Sequence, residues 1–121
     1  MRAKDAARLA TRRFAWRATR SLAVGRPLVE ALGSSDEDVR VLAGTLLTRA
    51  GRKAEPLLLD ALSRRENVPA VLEVLASIGD DTAAREIDRH LDDPDPAVVE
   101  AARSAKRVVS MAQTLAARRE R

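Results

Sequence analysis

No cysteine occurs in the 121 residues, and aromatics are nearly absent, with one Phe, one Trp and no Tyr. The first absence excludes disulfides, thiolate metal sites and attachment of a chromophore or thioester through sulfur. The second leaves a core of Leu, Val, Ile and Ala, which helices tolerate well, and argues against a β-sandwich or barrel. Long apolar runs are missing too: none approaches the roughly 18 residues that cross a bilayer, and the first residues lack the apolar stretch of a secretory signal. A soluble, cytoplasmic protein is expected. The five glycines do not cluster, so no phosphate-cradling loop is present. One histidine, His90, without any cysteine supplies neither a metal-ligand set nor a proton relay.

What is present is an aliphatic, highly charged chain, 45% hydrophobic and 33% charged, the balance of one soluble helical domain. The charge is segregated. Residues 1–27 carry eight basic residues against one acidic, net +7; residues 28–102 carry eight against sixteen, net −8; residues 103–121 carry six against one, net +5. The pattern is an acidic body with two basic ends. Nineteen of the 22 basic residues are Arg, which fits either a GC-rich genome or selection for bidentate contacts to phosphate or carboxylate. The Arg-rich, amphipathic first 27 residues also have the composition of an organellar transit peptide, the minor alternative to a leading helix.

Three stretches align: RPLVEALGSSDEDVRVLAGTLLTRAG, AEPLLLDALSRRENVPAVLEVLASIG and AAREIDRHLDDPDPAVVEAARSAKRV. Leu28, Leu58 and Ile87 correspond, as do Leu32, Leu62 and Leu91, and then Val39, Val68 and Val98, at a spacing of 29 or 30 residues. That is the length of one helical hairpin. Each unit reads as a short helix, a turn rich in Ser, Asp, Asn and Pro, and a longer helix. In the third unit Leu91 is expected to end the first helix, Asp92–Asp95 to form the turn and N-cap, and Pro96 to open the next, where its missing N–H has no intrahelical partner to lose. Asn67 before Pro69, and Ser34–Asp38, take the matching places. Val39, Leu42, Ala43, Leu46, Leu47 and Ala50 form one apolar stripe, and Val68, Val71, Leu72, Leu75 and Ile78 repeat it. A lone hairpin cannot cover such a stripe, so the units must stack, and the expected fold is an all-α solenoid of about three hairpins.

Turn-plus-helix stretches such as LDDPDPAVVEAA and GSSDEDVRVLAGTLL resemble HEAT repeats, in particular the short bacterial type related to phycobilisome-lyase repeats. The resemblance covers about residues 26–108. It implies stacked helical hairpins that mostly scaffold protein partners, with a few members binding nucleic acid or acting on chromophores. The turn Asp followed by Val-Arg is intact only at Asp38, Val39 and Arg40, with Pro69 and Val99 in place of the Arg elsewhere; this departure weakens the expectation of a regular polar ladder. The expected division is a basic amphipathic N-terminal helix at 1–25, repeats at 26–52, 53–80 and 81–110, and a basic tail at 111–121. Gly25-Arg26-Pro27 is expected to stop and restart a helix. Residues 97–117 are expected to form one long or two shorter helices, and either terminal helix can cap an end of the stack.

No catalytic machinery is visible, and no cofactor is implied. The acidic run Asp92, Asp93 and Asp95 can attract a cation, yet it lacks the length and turn glycine of a calcium loop, and capping accounts for it. Asp80-Asp81 likewise reads as a helix cap. Two surfaces remain. On the ridge of second helices the outward positions are Arg40, Val41, Gly44 and Thr48, then Pro69, Ala70, Glu73 and Ser77, then Val99, Glu100, Arg103 and Arg107. Small residues in the first two units suggest a shallow groove that admits a helix or extended peptide. On the leading helix Arg2, Arg12, Arg13, Trp16, Arg17 and Arg20 share one side, a pattern suited to a polyanion such as nucleic acid or an acidic membrane. A non-enzymatic adaptor binding protein is the expected function, with polyanion binding as the alternative. A second copy of the chain is a further candidate partner, since three hairpins leave apolar ends to cover.

Overall fold

The computed structural model describes residues 22–119, with side chains from residue 25 onward. The elements are α1 (Leu22–Ala31), α2 (Glu37–Ala50), a 3-10 turn (Gly51–Ala54), α3 (Glu55–Ser63), α4 (Val68–Ile78), α5 (Asp81–Arg89) and α6 (Pro96–Arg119). No strand occurs among these residues. Consecutive helices pair into three hairpins; α1 packs on α3, while α2 and α6 flank α4. The architecture is therefore an α-solenoid, and the spacing of 29 or 30 residues corresponds to one hairpin.

The two apolar stripes meet in a single core. Val39, Ala43, Leu46 and Leu47 of α2 and Val68, Val71, Leu72 and Leu75 of α4 are buried, together with Leu28 and Leu32 of α1, Leu57, Leu58 and Leu62 of α3, and Ile87 of α5. Leu91, expected to close α5, instead lies beyond its end and is only partly buried. The positive φ of Gly51 (60°) and Gly79 (68°) ends α2 and α4 at the points where the chain passes to the next hairpin.

The corners within hairpins follow the capping logic at two of three places. Asp36 accepts from the Asp38 N–H at 2.9 Å, and Asp95 from the Ala97 N–H at 2.9 Å, with Pro96 opening α6. Asp80 does the same for α5, accepting from the Ala83 N–H at 2.9 Å. The middle corner differs. Arg65 and Asn67 are both left-handed, at φ 58° and 48°, and the Asn67 side chain caps nothing in its own helix. Its Nδ2 donates instead to the Val29 carbonyl at 3.2 Å, so it ties the second corner to the end of α1. Asn tolerates this backbone region better than most residues because its short amide bonds locally.

The expected stop at Gly25-Arg26-Pro27 is absent, and α1 runs through it with Pro27 inside. A proline in a helix removes one backbone bond and costs about 3 kcal/mol. Burial of Leu28 and Val29, both fully inaccessible, returns about 1.5–3 kcal/mol each. Packing thus holds the helix across a local breaker. At the other end α6 continues unbroken to Arg119, so the boundary expected at 110/111 falls within a helix. Only its first half is packed: Val98, Ala102, Ala105 and Val109 are buried, while every described residue from 110 onward is exposed.

Ion pairs join successive hairpins. Arg26 pairs with Asp60 at 3.3 Å and with Glu66. Arg65 pairs with Asp93, and Arg52 lies 3.6 Å from Asp80. The Arg65 guanidinium, followed by the Asp95 N–H, holds the Asp93 carboxyl down at about 2. Burial, followed by the neighbouring Asp80 carboxyl, pushes Glu55 up to about 7, with Arg52 and Arg85 opposing.

Candidate functional site

Between α2 and α4 lies an open groove of about 680 Å³. Arg40, Val41, Gly44 and Thr48 enter it from α2, and Pro69, Ala70, Glu73 and Ser77 from α4. These eight were singled out by the register of the repeat, and the fold brings them to one place. From Glu37 to Arg49, both of which line it, the α2 wall extends roughly 18 Å at 1.5 Å per residue, enough for about three turns of a bound helix.

Gly44 opens the α2 wall of the groove. Gly44 has no side chain, and a Cβ there would sit 3.9 Å from Leu32 Cδ2 and Val74 Cγ2, an ordinary contact distance. Leu32 and Val74 therefore form an apolar floor visible past Gly44. The hydroxyls do not make the groove more polar in donors than it looks. Thr45 donates to the Val41 carbonyl at 2.9 Å, Thr48 to the Gly44 carbonyl at 2.8 Å and Ser77 to the Glu73 carbonyl at 3.3 Å, so their protons are turned into their own helices. Val41, 62% exposed, is the one large hydrophobe that α2 presents to solvent. Glu37, Arg40, Arg49 and Glu73 line the groove with two charges of each sign. Arg40 is held back toward the first corner, where Nη1 donates to the Ser34 carbonyl at 2.7 Å.

The four ridge residues of the third unit, Val99, Glu100, Arg103 and Arg107, do not join the groove. Glu100 is exposed on α6, while Arg103 and Arg107 line a separate hollow of about 500 Å³ with Leu91, Lys106, Ser110 and Met111. The reason is packing: α6 buries Ala102 and Ala105 and lies close against α4, which it and α2 flank. Thr45 and Arg49, by contrast, line the groove without having been anticipated. They stand one and two turns beyond Val41, and that i, i+4, i+8 series was readable in the sequence. Leu32 was not, because only the missing side chain at position 44 exposes it.

The other candidates are accounted for by structure. Asp93 and Asp95 are engaged by Arg65 and by the start of α6, and no cluster of three or more potential ligands stands among the described residues. His90 caps α5, its Nδ1 2.7 Å from the Glu86 carbonyl oxygen. Arg2, Arg12, Arg13, Trp16, Arg17 and Arg20 lie outside the described residues. No helix among the described residues is long and apolar enough to cross a membrane. The sequence profile of HEAT repeats matches residues 25–106, more than half of the chain. No curated protein and no solved structure matches.

Proposed function

Because the chain belongs to the HEAT-repeat family, we propose that it is a non-enzymatic adaptor that holds one helical or extended segment of a protein partner in the groove between α2 and α4. Members of this family generally mediate protein–protein interaction. The observation that carries the reading here is the convergence of Arg40, Val41, Gly44, Thr48, Ala70, Glu73 and Ser77 on one trough with an apolar floor. Small residues in the walls, Gly44, Ala70 and Ser77, let a partner's backbone approach closely, Val41 offers an anchor, and charges of both signs at the edges fix orientation more than they add affinity. The turn sequences favour the short bacterial type of repeat related to phycobilisome-lyase repeats, and a cytoplasmic location goes with that reading.

A photoreactive residue placed at Val41 tests it. In the native host it should cross-link to a partner, and the Gly44→Leu/Ala70→Leu double variant, which fills the trough, should suppress the adduct. The same probe at exposed Arg85 on α5 should yield no such adduct. Equal capture from both positions, insensitive to the filling substitutions, contradicts the groove.

A further inference from the structure

The second half of α6 is a bare helix with an apolar edge. Val108, Met111 and Leu115 are 52%, 66% and 51% exposed, three of the four large hydrophobes that the described residues leave open to solvent. At 100° per residue they fall within an arc of about 60°, one stripe along two turns. In the repeat register Val108 matches Ile78, the last residue of α4, so α6 outruns the helix it packs on. A short helix without packing is marginal in water, but this one is continuous with a packed half, and the stripe is presented ready-made.

We propose that this overhang docks an acidic amphipathic helix of a partner protein, at a second surface distinct from the groove. Charge selects that occupant. Past Glu100 the described part of α6 has no acidic residue and carries Arg103, Lys106, Arg107, Arg118 and Arg119. An α6 from a second copy would set like charges against each other, and residues 1–27 of the chain, net +7, would do the same. A partner with apolar residues at i, i+3 and i+7 and Glu or Asp beside them covers the stripe and meets the arginines. The stripe of three side chains is as wide as one helix needs and narrower than the broad apolar face of a helix lying in a membrane.

The test uses the full chain and a labelled synthetic helical peptide with Leu at i, i+3 and i+7 flanked by Glu, beside a control of identical composition with the Leu positions scrambled. Fluorescence anisotropy should show the patterned peptide binding at least about tenfold more tightly than the control, with Met111→Asp removing that difference. Leu115→Asp is the second variant, and circular dichroism should show both folded as wild type, since neither side chain is buried. Gly44→Leu/Ala70→Leu should leave this binding intact, which separates it from the groove. Equal binding of the two peptides overturns the proposal in favour of bare charge attraction. So does patterned-peptide binding that Met111→Asp leaves unchanged, or tighter binding to duplex DNA or phosphatidylserine vesicles than to the patterned peptide. A concentration-dependent dimer in sedimentation equilibrium that Met111→Asp dissolves would overturn it in favour of a second copy.

Discussion

Arg65 clasps Asp93 with two parallel bonds, Nη1 to Oδ2 at 2.6 Å and Nη2 to Oδ1 at 3.0 Å, and so links the corner of the second hairpin to that of the third. Asp93 in turn accepts from the Asp95 N–H at 2.9 Å, ahead of the α6 cap. Its folded pKa, about 2, lies below the ordinary carboxylate value of 3.8. A depressed carboxylate contributes stability that is present above its unfolded value and lost as pH falls through the folded one. Thermal unfolding followed by circular dichroism should therefore show the wild type losing stability between about pH 4 and pH 2. Arg65→Ala should lower the melting temperature at neutral pH and flatten that acid limb. An acid limb of unchanged steepness would show that the clasp does not govern it.

Glu55 carries the opposite sign. It opens α3, is 9% exposed, and its Oε2 has no hydrogen-bond partner, beside the Asp80 carboxyl that caps α5. With its folded pKa raised to about 7 from 4.5, protonated Glu55 is compatible with burial and the ionised form is not. That contribution is full below about pH 4.5 and is lost as pH rises through 7. Glu55→Gln supplies a permanent neutral donor toward Asp80. It should be more stable than wild type at pH 8, by on the order of 1–3 kcal/mol at about 1.4 kcal/mol per unit, with the difference closing near pH 4. Urea titrations at the two pH values measure it directly.

Two glycines should respond in opposite directions to the same methyl group. At Gly44, inside α2, an added Cβ meets only ordinary contacts, so Gly44→Ala should stabilise by about 0.5–1 kcal/mol through reduced unfolded-state entropy. At Gly33 the Cβ would come within 2.5 Å of Asn67 Oδ1, whose amide is tethered to the Val29 carbonyl. Gly33→Ala should push that amide off its acceptor and destabilise by about 1 kcal/mol. Chemical denaturation of the two variants settles both signs. Equal shifts would mean that the Asn67 bridge contributes nothing.

The hairpins were legible because burial and helical period agree residue by residue: Val39, Val68 and Val98 occupy one register and all three are buried. What escaped was non-local. Pro27 and Gly25 form a local break that the burial of Leu28 and Val29 overrules, and no window of sequence contains that competition. Asn67 carries the signature of a cap, yet its amide bonds Val29 38 positions away. The same holds for the site. Positions on α2 and α4 were readable from the register, whereas the exclusion of Arg103 and Arg107 depends on how closely α6 approaches α4. Neither Glu55 nor Arg65 drew notice as a sequence feature, because their chemistry arises only where successive hairpins meet.

The account stands or falls on whether the α2–α4 trough is where protein binds. The direct measurement is backbone amide NMR of the isotopically labelled chain titrated with the partner captured by the Val41 probe, or with its contacting segment. Shifts concentrated on 37–49 and 69–77, abolished in Gly44→Leu/Ala70→Leu, are the predicted result. Shifts confined to α5, unaltered by filling the trough, would contradict it.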